Sequence, residues 1–375
     1  MVTSAVMEGA SEPQDAITRC ERRLAAMYGR KHCILTGNGT LAIHLACRLA
    51  DPGRPEVLLP AMVCLEPVLG VYHADRIPLF ADVLEGDATL DPRSVSSMVA
   101  RNGNIGAVLA VHLYGHAAAM ESLREVTHRH GLLLIEDLAQ AMGGRFQDGT
   151  PFGRMGDCVI LSFGHTKILD AGGGGALLTD RDDWALQARA RSLQWGLPTV
   201  DREQLSRIYR RLYYAIWESG QQDPRFYELF DHFPRMFQSM KEYAVTVDDA
   251  VRIIDILEQL PGEMAHRQSM ARVYAERLGR RDGIGMFRTS EHVVPWRFTV
   301  RVPADRRQGW LHALRSAGYD ASSWYPCIAG WTPSGRRQGQ HLFPVANRLE
   351  REVVNLWVTR DYSEEKIVDL TQYFR

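Results

Sequence analysis

Over roughly the first 180 residues, short apolar runs alternate with stretches whose apolar positions recur at helical spacing. Lys31–Leu35 (KHCIL) reads as a strand, followed by a glycine turn and the helical TLAIHLACRLA from Thr40. Glu56–Ala61 (EVLLPA) is the next strand, and IPLFADV, ending at Val83, another. Asp91 and Pro92 open a helix over DPRSVSSMVA, because an Asp side chain caps free N–H groups and proline fits the first turn. Ile105–Tyr114 (IGAVLAVHLY) is almost continuously apolar, as a strand buried on both faces should be. The helix MESLREVTHRH and the strands LLLIEDLA (Leu132–Ala139), CVILSF (Cys158–Phe163) and GALLTD complete this part. Such alternation predicts an α/β fold, a mostly parallel sheet flanked by helices.

From Trp184 to about Leu278 the pattern is helical throughout, and Pro198–Met240, rich in aromatic residues and Arg, has the look of an insertion. From about His292 the chain turns α+β. WRFTVRV and DASSWYP read as strands around a helix at Trp310–Ala317; a helix at Phe343–Glu352, the strand VVNLWV and a helix from Ser363 follow. The expected division is a large domain over 1–245, with a helical insertion at 197–240, and a linking helix plus small C-terminal domain over 246–375. A chain of 375 residues is too long for one simple core and suits that arrangement.

Composition narrows the function. Hydrophobic residues make up 45% and charged residues 24%, an ordinary globular balance. A formal net charge of -1 implies no basic face and argues against nucleic acid as a partner. The six cysteines are scattered, with no CxxC pair and no metal-ligand spacing, so reduced thiols in a cytoplasmic protein and no metal site are expected. The start, MVTSAVMEGASEPQD, lacks the basic and apolar regions of a signal peptide. No apolar run approaches the ~20 residues that span a bilayer, so no membrane partner is expected.

Three features fall at predicted strand ends, where open α/β sheets bind ligands. TGNGT (Thr36–Thr40) is a glycine turn whose helix start at Thr40 offers N–H groups to an anion; alone, it reads better as a plain βα turn. Glu136-Asp137 ends a buried strand, where a carboxylate either pairs with a cation such as a protonated pyridine nitrogen or merely caps the next turn. SFGHTK (Ser162–Lys167) precedes four glycines, Gly172–Gly175. A desolvated lysine is a nucleophile toward carbonyls, whereas a lone loop lysine is ordinarily surface filler. Anion site, pyridinium partner and imine-forming amine, in that order, are the minimum set for pyridoxal 5'-phosphate (PLP).

The chain resembles the DegT/StrS family of fold type I PLP enzymes, best known as nucleotide-sugar aminotransferases. TGNGTLAIHLA resembles that family's phosphate segment, AVHLYGHAAAMESL its PVHLYG strand and helix, LIEDLAQAMGG its EDAAQAHG motif, and GDCVILSFGHTKILDAGGGGALLTD its lysine segment. FPVANRLEREVVNLWV resembles LPVAERLAREVLSLPL, and the likeness runs from about residue 20 to the C-terminus with 197–240 unmatched. The resemblance implies an aspartate-aminotransferase-like fold type I and a homodimer with sites at the interface. It implies that Lys167 forms the Schiff base with PLP and moves a proton, and that Asp137 pairs with the pyridine nitrogen. Gln140 would sit by the phenolic oxygen, while Gly39, Thr40, the backbone of Leu41, and Ser162 would take the phosphate.

Departures accompany the likeness. Where relatives carry a ring-stacking aromatic (PSYTF), LPAMVC places Cys64. The segment resembling NYRM, whose Asn the resemblance implies reaches the partner subunit's phosphate, reads Glu242-Tyr243-Ala244-Val245; a carboxylate facing phosphate is repulsive, so that cross-subunit contact is expected from another register or elsewhere. Further candidates are His112 and His116 (packing or strand-end bonds), His165 beside Lys167, and Trp324 and Tyr325 (substrate contact or structural). Tyr209–Phe230 reads as lid, substrate wall, dimer interface or core. The expected function is transfer of an amino group from glutamate or glutamine to a keto-sugar, keto-cyclitol or related acceptor, in secondary-metabolite or surface-glycan biosynthesis. The alternatives are a PLP enzyme with a dehydration or epimerisation outcome, and a PLP-binding regulatory protein.

Overall fold

The computed structural model describes residues 13–199, 201–288 and 290–374, so most of the N-terminal stretch read above lies outside it. The strands of the larger sheet are β1 (His32–Thr36), β2 (Glu56–Pro60), β3 (Ile77–Ala81), β4 (Ile105–Val111), β5 (Leu133–Asp137), β6 (Cys158–Ser162) and β7 (Gly175–Thr179). They lie in the order β1-β7-β6-β5-β4-β2-β3. The pairings from β3 through β6 are parallel, while β7 runs antiparallel between β6 and β1. β1 therefore points the same way as β6, and the C-terminal ends of six strands share one edge.

Both faces of this sheet are covered, which is why its strands are apolar at nearly every position. In β4, Ala107, Leu109 and Val111 pack into a core with the helices Gly39–Arg48 and Leu65–His73. Ile105, Val108 and Ala110 face the other way, under the helices Pro92–Arg101 and Met120–His130. In β6, Val159 and Leu161 share a third core with the helix Pro13–Tyr28 and with Ile253 of the helix Val247–Leu257. The helix that follows residue 245 thus packs on the large sheet. Its capping box, Thr246 with Asp249, also receives Arg202 through two 2.9 Å contacts, tying down the start of the inserted helices.

A smaller antiparallel sheet of β8 (Gly285–Met286), β9 (Phe298–Arg301), β10 (Ala321–Ser322) and β11 (Val353–Leu356) has the order β10-β11-β9-β8. Its core gathers Tyr274, Phe298, Leu311, Leu314, Val354 and Tyr362. The chain after Trp184 is less uniformly helical than its pattern predicts: residues 193–199 and 242–246 lie outside the helices. DASSWYP is a strand only at Ala321–Ser322.

The strand expected to run to Tyr114 ends at Val111, and Tyr114 takes a left-handed conformation (φ 60°, ψ 5°) in the turn Leu113–Gly115. The turn is held because the Tyr114 N–H donates to Gln140 Oε1 at 2.9 Å. At Gly115 a Cβ would lie 2.2 Å from the Val294 carbonyl, so the close crossing of these segments requires glycine.

The end of β5 is fixed by Glu136. Its carboxylate is fully buried and accepts the N–H groups of Gly153 (2.7 Å), Met155 (3.1 Å) and Gly156 (2.7 Å). His112 Nε2 approaches it at 3.2 Å, and His112 Nδ1 accepts the Ala118 N–H at 3.2 Å, so Nε2 carries the hydrogen. Burial alone would raise the Glu136 carboxyl, but the hydrogen bonds from His112, Gly153 and Gly156 outweigh it and hold it below the usual range. Glu136→Gln should therefore cost about 2–3 kcal/mol at neutral pH, since an amide turns a donor toward backbone donors. A lowered folded-state pKa gives stability that is full above the unfolded value and drains as pH falls through the folded one. The gap between wild type and Glu136→Gln in urea melts should stay constant from neutral pH down to about 5 and narrow below about 4.

Candidate active site

Four strand ends on the shared edge supply the site. β1 turns through Gly37 and Asn38 into the helix Gly39–Arg48; β2 leads to Cys64, the N-cap of the helix Leu65–His73. β5 ends at Asp137 and β6 at Ser162, before the loop that carries Lys167. That loop is pinned at both sides. Asp170 accepts the Gly172 N–H at 2.8 Å and the Thr166 N–H at 3.3 Å. Thr166 sits at φ 68°, and its carbonyl accepts Trp296 Nε1 at 2.5 Å. Lys167 is half-buried, and among the described residues its ammonium makes no hydrogen bond. Its charge lowers both the Asp137 carboxyl and the Cys64 thiol, so it stands near both groups.

Asp137 is buried at 2% exposure. Oδ1 caps the following turn by accepting the Ala139 N–H at 2.8 Å, so one of the two readings of this residue accounts for one oxygen. Burial pushes the carboxyl up; the Ala139 N–H and Lys167 pull it down without fully compensating. A buried carboxyl lacking a full counter-charge fits a protonated ring nitrogen as its partner. Gln140 is oriented by two bonds: Oε1 accepts the Tyr114 N–H, and Nε2 donates to Tyr325 Oη at 2.7 Å. Tyr114 Oη in turn donates to the Trp324 carbonyl (2.5 Å) and accepts the Tyr325 N–H (2.7 Å). The rings of Tyr114, Tyr325 and Trp296 stack at 5.9–6.4 Å. Tyr325 is thus built into the site, while Trp324 stacks on Trp217 (5.1 Å) in the wall above it.

At the other end, a Cβ on Gly39 would come within 3.0 Å of Ser162 Oγ, so the close approach of turn and strand needs glycine there. The hydroxyls of Thr40 and Ser162 and a helix start lie together, a donor set suited to a phosphate. Two details differ from expectation. The Leu41 N–H is engaged by Asn38 Oδ1 at 3.0 Å, because Asn38 is the helix N-cap. Thr40 Oγ1 donates to Glu66 Oε2 at 2.7 Å. Cys64 accepts the Glu66 N–H at 3.4 Å, and burial together with Glu66 pushes its thiol up to about 11 against the pull of Lys167. It stands at the site as a neutral thiol.

Of the three candidate histidines, His112 and His116 are engaged elsewhere. His112 stacks on Phe152 (4.2 Å) beneath the strand end, and His116 Nδ1 bonds the Asp87 carbonyl at 2.8 Å. His165 is exposed and lies 3.4 Å from Asp170. Glu242 accepts Gln238 Nε2 at 3.1 Å and lies 3.9 Å from His44 Nδ1 on the helix Gly39–Arg48.

The inserted chain forms the helix Arg202–Gln222, a 3₁₀ segment Pro224–His232 and the helix Phe233–Lys241. Its aromatic residues are packed: Phe230 stacks on Trp331 at 4.6 Å, and Phe233 and Phe237 are buried beside the helix Leu65–His73. Tyr209 lies by Glu66, and burial pushes the Tyr209 and Tyr213 phenols well above their ordinary range near Cys64. The insertion is a fixed wall over this end of the site. Sequence reasoning singled out none of Trp296, Tyr114, Glu66 or Lys241. A charge at Glu66, five residues beyond the strand read at Glu56–Ala61, was the visible signal.

Residues 2–215 and 232–375 match the model of the DegT/DnrJ/EryC1/StrS aminotransferase family. The unmatched stretch is narrower than 197–240 and falls inside the aromatic insertion. The chain is 35% identical over 186 residues to a dTDP-3-amino-3,4,6-trideoxy-alpha-D-glucose transaminase of Micromonospora megalomicea, 49% of either chain. It is 34% identical over 189 residues to an L-glutamine:2-deoxy-scyllo-inosose aminotransferase of Streptomyces paromomycinus, 49% of this chain and 44% of that one. The matched region thus spans about half the length of these relatives. A pleiotropic regulatory protein of Geobacillus stearothermophilus is 29% identical over 276 residues, 73% of this chain and 72% of its own. Among solved structures, NtdA of Bacillus subtilis with bound cofactor PMP superposes with a TM-score of 0.73 at 19% identity, covering 95% of this chain and 77% of that one. The fold is fold type I, as the resemblance implied, and the chain belongs to the DegT/DnrJ/EryC1/StrS aminotransferase family.

Proposed function

We propose that this protein is a PLP-dependent aminotransferase that moves an amino group from glutamate or glutamine to a keto-sugar, keto-cyclitol or related acceptor. The observation that carries the reading is the meeting of Lys167 with the buried, under-compensated Asp137 on one sheet edge. The relatives named above, acting on amino sugars and a cyclitol ketone, support the acceptor class. When bound, the cofactor supplies a carbonyl that exchanges with amines and a ring that withdraws electrons. Lys167 would attach to it through Nζ and, once freed by an amino donor, hold and move a proton at that nitrogen. Asp137 would keep the ring nitrogen protonated. Gln140, fixed by Tyr114 and Tyr325, would sit at the phenolic oxygen. Thr40, Ser162 and the helix start at Gly39 would bind the phosphate, with Leu41 contributing after its N-cap bond is exchanged. Cys64 would lie against the ring with less area than an aromatic residue offers.

The reading includes a homodimer. Leu186, Leu193 and Leu197 expose 72%, 73% and 69% of their surface along one stretch, an apolar run that a second copy would cover. Light scattering on the purified chain should give a dimer's mass, and Leu193→Glu should shift it toward the monomer. Six free cysteines suit a reducing compartment, the cytoplasm in this proposal.

Purified protein given PLP should show a visible absorbance band that borohydride bleaches and fixes at Lys167. Lys167→Ala should lose the band and roughly 1,000-fold or more of turnover. Asp137→Asn should keep the band but lose roughly 100-fold, the equivalent of about 2.7 kcal/mol. Keto-sugars and keto-cyclitols screened with glutamate and glutamine should yield an amine and a 2-keto acid. A band that never forms sinks the cofactor reading. A band with no amine transferred to any acceptor leaves the regulatory role that the Geobacillus relative's name suggests.

A further inference from the structure

We propose that Lys241, at the end of the inserted helices, is a phosphate-binding residue, held beside Thr40 by a Glu66 carboxylate that occupies the phosphate's place until it arrives. The proposal rests on the cofactor reading above and adds two residues to it. Lys241 Nζ donates to Glu66 Oε1 at 2.5 Å and also reaches Oε2. Oε2 is the oxygen that accepts Thr40 Oγ1 at 2.7 Å. A single carboxylate therefore separates the lysine from the hydroxyl expected to bind phosphate.

Helix geometry explains why an anion sits there. Thr40 lies in the first turn of the helix Gly39–Arg48 and Glu66 in the first turn of the helix Leu65–His73, so two positive helix ends converge on the carboxylate. Burial opposes the charge, but Lys241, Thr40 and Tyr209 hold the Glu66 carboxyl below its usual range. The Glu66 side chain keeps 34% of its surface accessible and Lys241 16%, so both line open space beside the turn. Lys241 belongs to this turn by its backbone as well, since Asn38 Nδ2 donates to its carbonyl at 2.9 Å. Its ammonium rides 4.0 Å over the Tyr209 ring, which fixes the direction of the side chain. Tyr243 packs against Gly37 of the same turn. Lys241 stands one residue before the segment that resembles NYRM, and its contact is to the turn of its own chain, whereas the resemblance implies a contact to the partner subunit's phosphate.

A phosphate entering this place meets one cation and one anion. Thr40 and Lys241 transfer to it, and Glu66 turns toward the open space. Removing the carboxylate should favour phosphate, and removing the ammonium should disfavour it. Groups that touch only the ring or the imine should be indifferent.

The test titrates the full-length apo-protein with PLP and with pyridoxal, which lacks the phosphate, following absorbance and fluorescence. The readout is the ratio of the two dissociation constants. Lys241→Met should lower the preference for PLP about tenfold, and Glu66→Gln should raise it about threefold. Lys241→Arg should keep it within about twofold. Because Lys241→Met leaves Glu66 without its cation, the double variant Glu66→Gln/Lys241→Met keeps the local charge balanced and decides the matter if the single variant does not fold. A double variant matching Glu66→Gln overturns the proposal, as does Lys241→Met matching wild type. Wild type that binds both compounds equally overturns it while leaving the imine reading intact; wild type that binds neither sinks both.

Discussion

A parallel strand covered on both faces must end in polar residues somewhere, and at the end of β5 two carboxylates follow one another into the interior. Glu136 resolves the difficulty on its side of the pleat by collecting three backbone N–H groups from the 153–156 loop and a histidine N–H. Successive residues of a strand point to opposite faces, so satisfying Glu136 there commits Asp137 to the other face, toward Lys167. A buried charge with every lone pair occupied is rigid, since rotating it would strand several donors at once. The position of the acid in the site therefore follows from the hydrogen bonding of its neighbour.

The same logic runs through the second layer. Tyr114 is held in a left-handed turn by Gln140, and its hydroxyl links the Trp324 carbonyl to the Tyr325 N–H. The larger unit thereby reaches the strand region of the smaller one through a single phenol. Trp296 does the equivalent for the lysine loop, bonding the Thr166 carbonyl just before Lys167. Aromatic residues serve here because each offers one polar tip on a broad apolar body, so a buried bond and a packed face come together.

The inserted helices change what surrounds this frame. Their aromatic side chains bury against Trp324 and Trp331 and against the helix Leu65–His73, closing one side of the site. In doing so they bring Lys241 and Tyr209 onto Glu66, two residues after Cys64. Cys64 and the segment that begins at Glu242, the two departures from the family pattern, thus flank the Glu66–Lys241 pair and fall in one corner of the site.

Periodicity alone was enough to place the seven strands of the larger sheet and three of the four helices between them, because a strand buried on both faces is apolar at every position and an amphipathic helix is not; the helix Leu65–His73, buried along most of its length, was missed. The order of TGNGT, Asp137 and Lys167 likewise suggested the proposed chemistry, since strand ends of a parallel sheet meet on one edge whatever the details. The side-chain partners were not legible. Whether Asp137 caps a turn or meets a cation, and that Leu41 is already capped by Asn38, depends on which atoms lie within about 3 Å in the folded chain. Nor did the pattern show that β4 stops before Tyr114, because an apolar run looks the same in a strand and in a turn stabilised from a distant Gln140. The Glu66–Lys241 pair, 175 residues apart in sequence, is the clearest case. No local signal joins them, and only the packing of the insertion on the large domain brings that charge to that carboxylate.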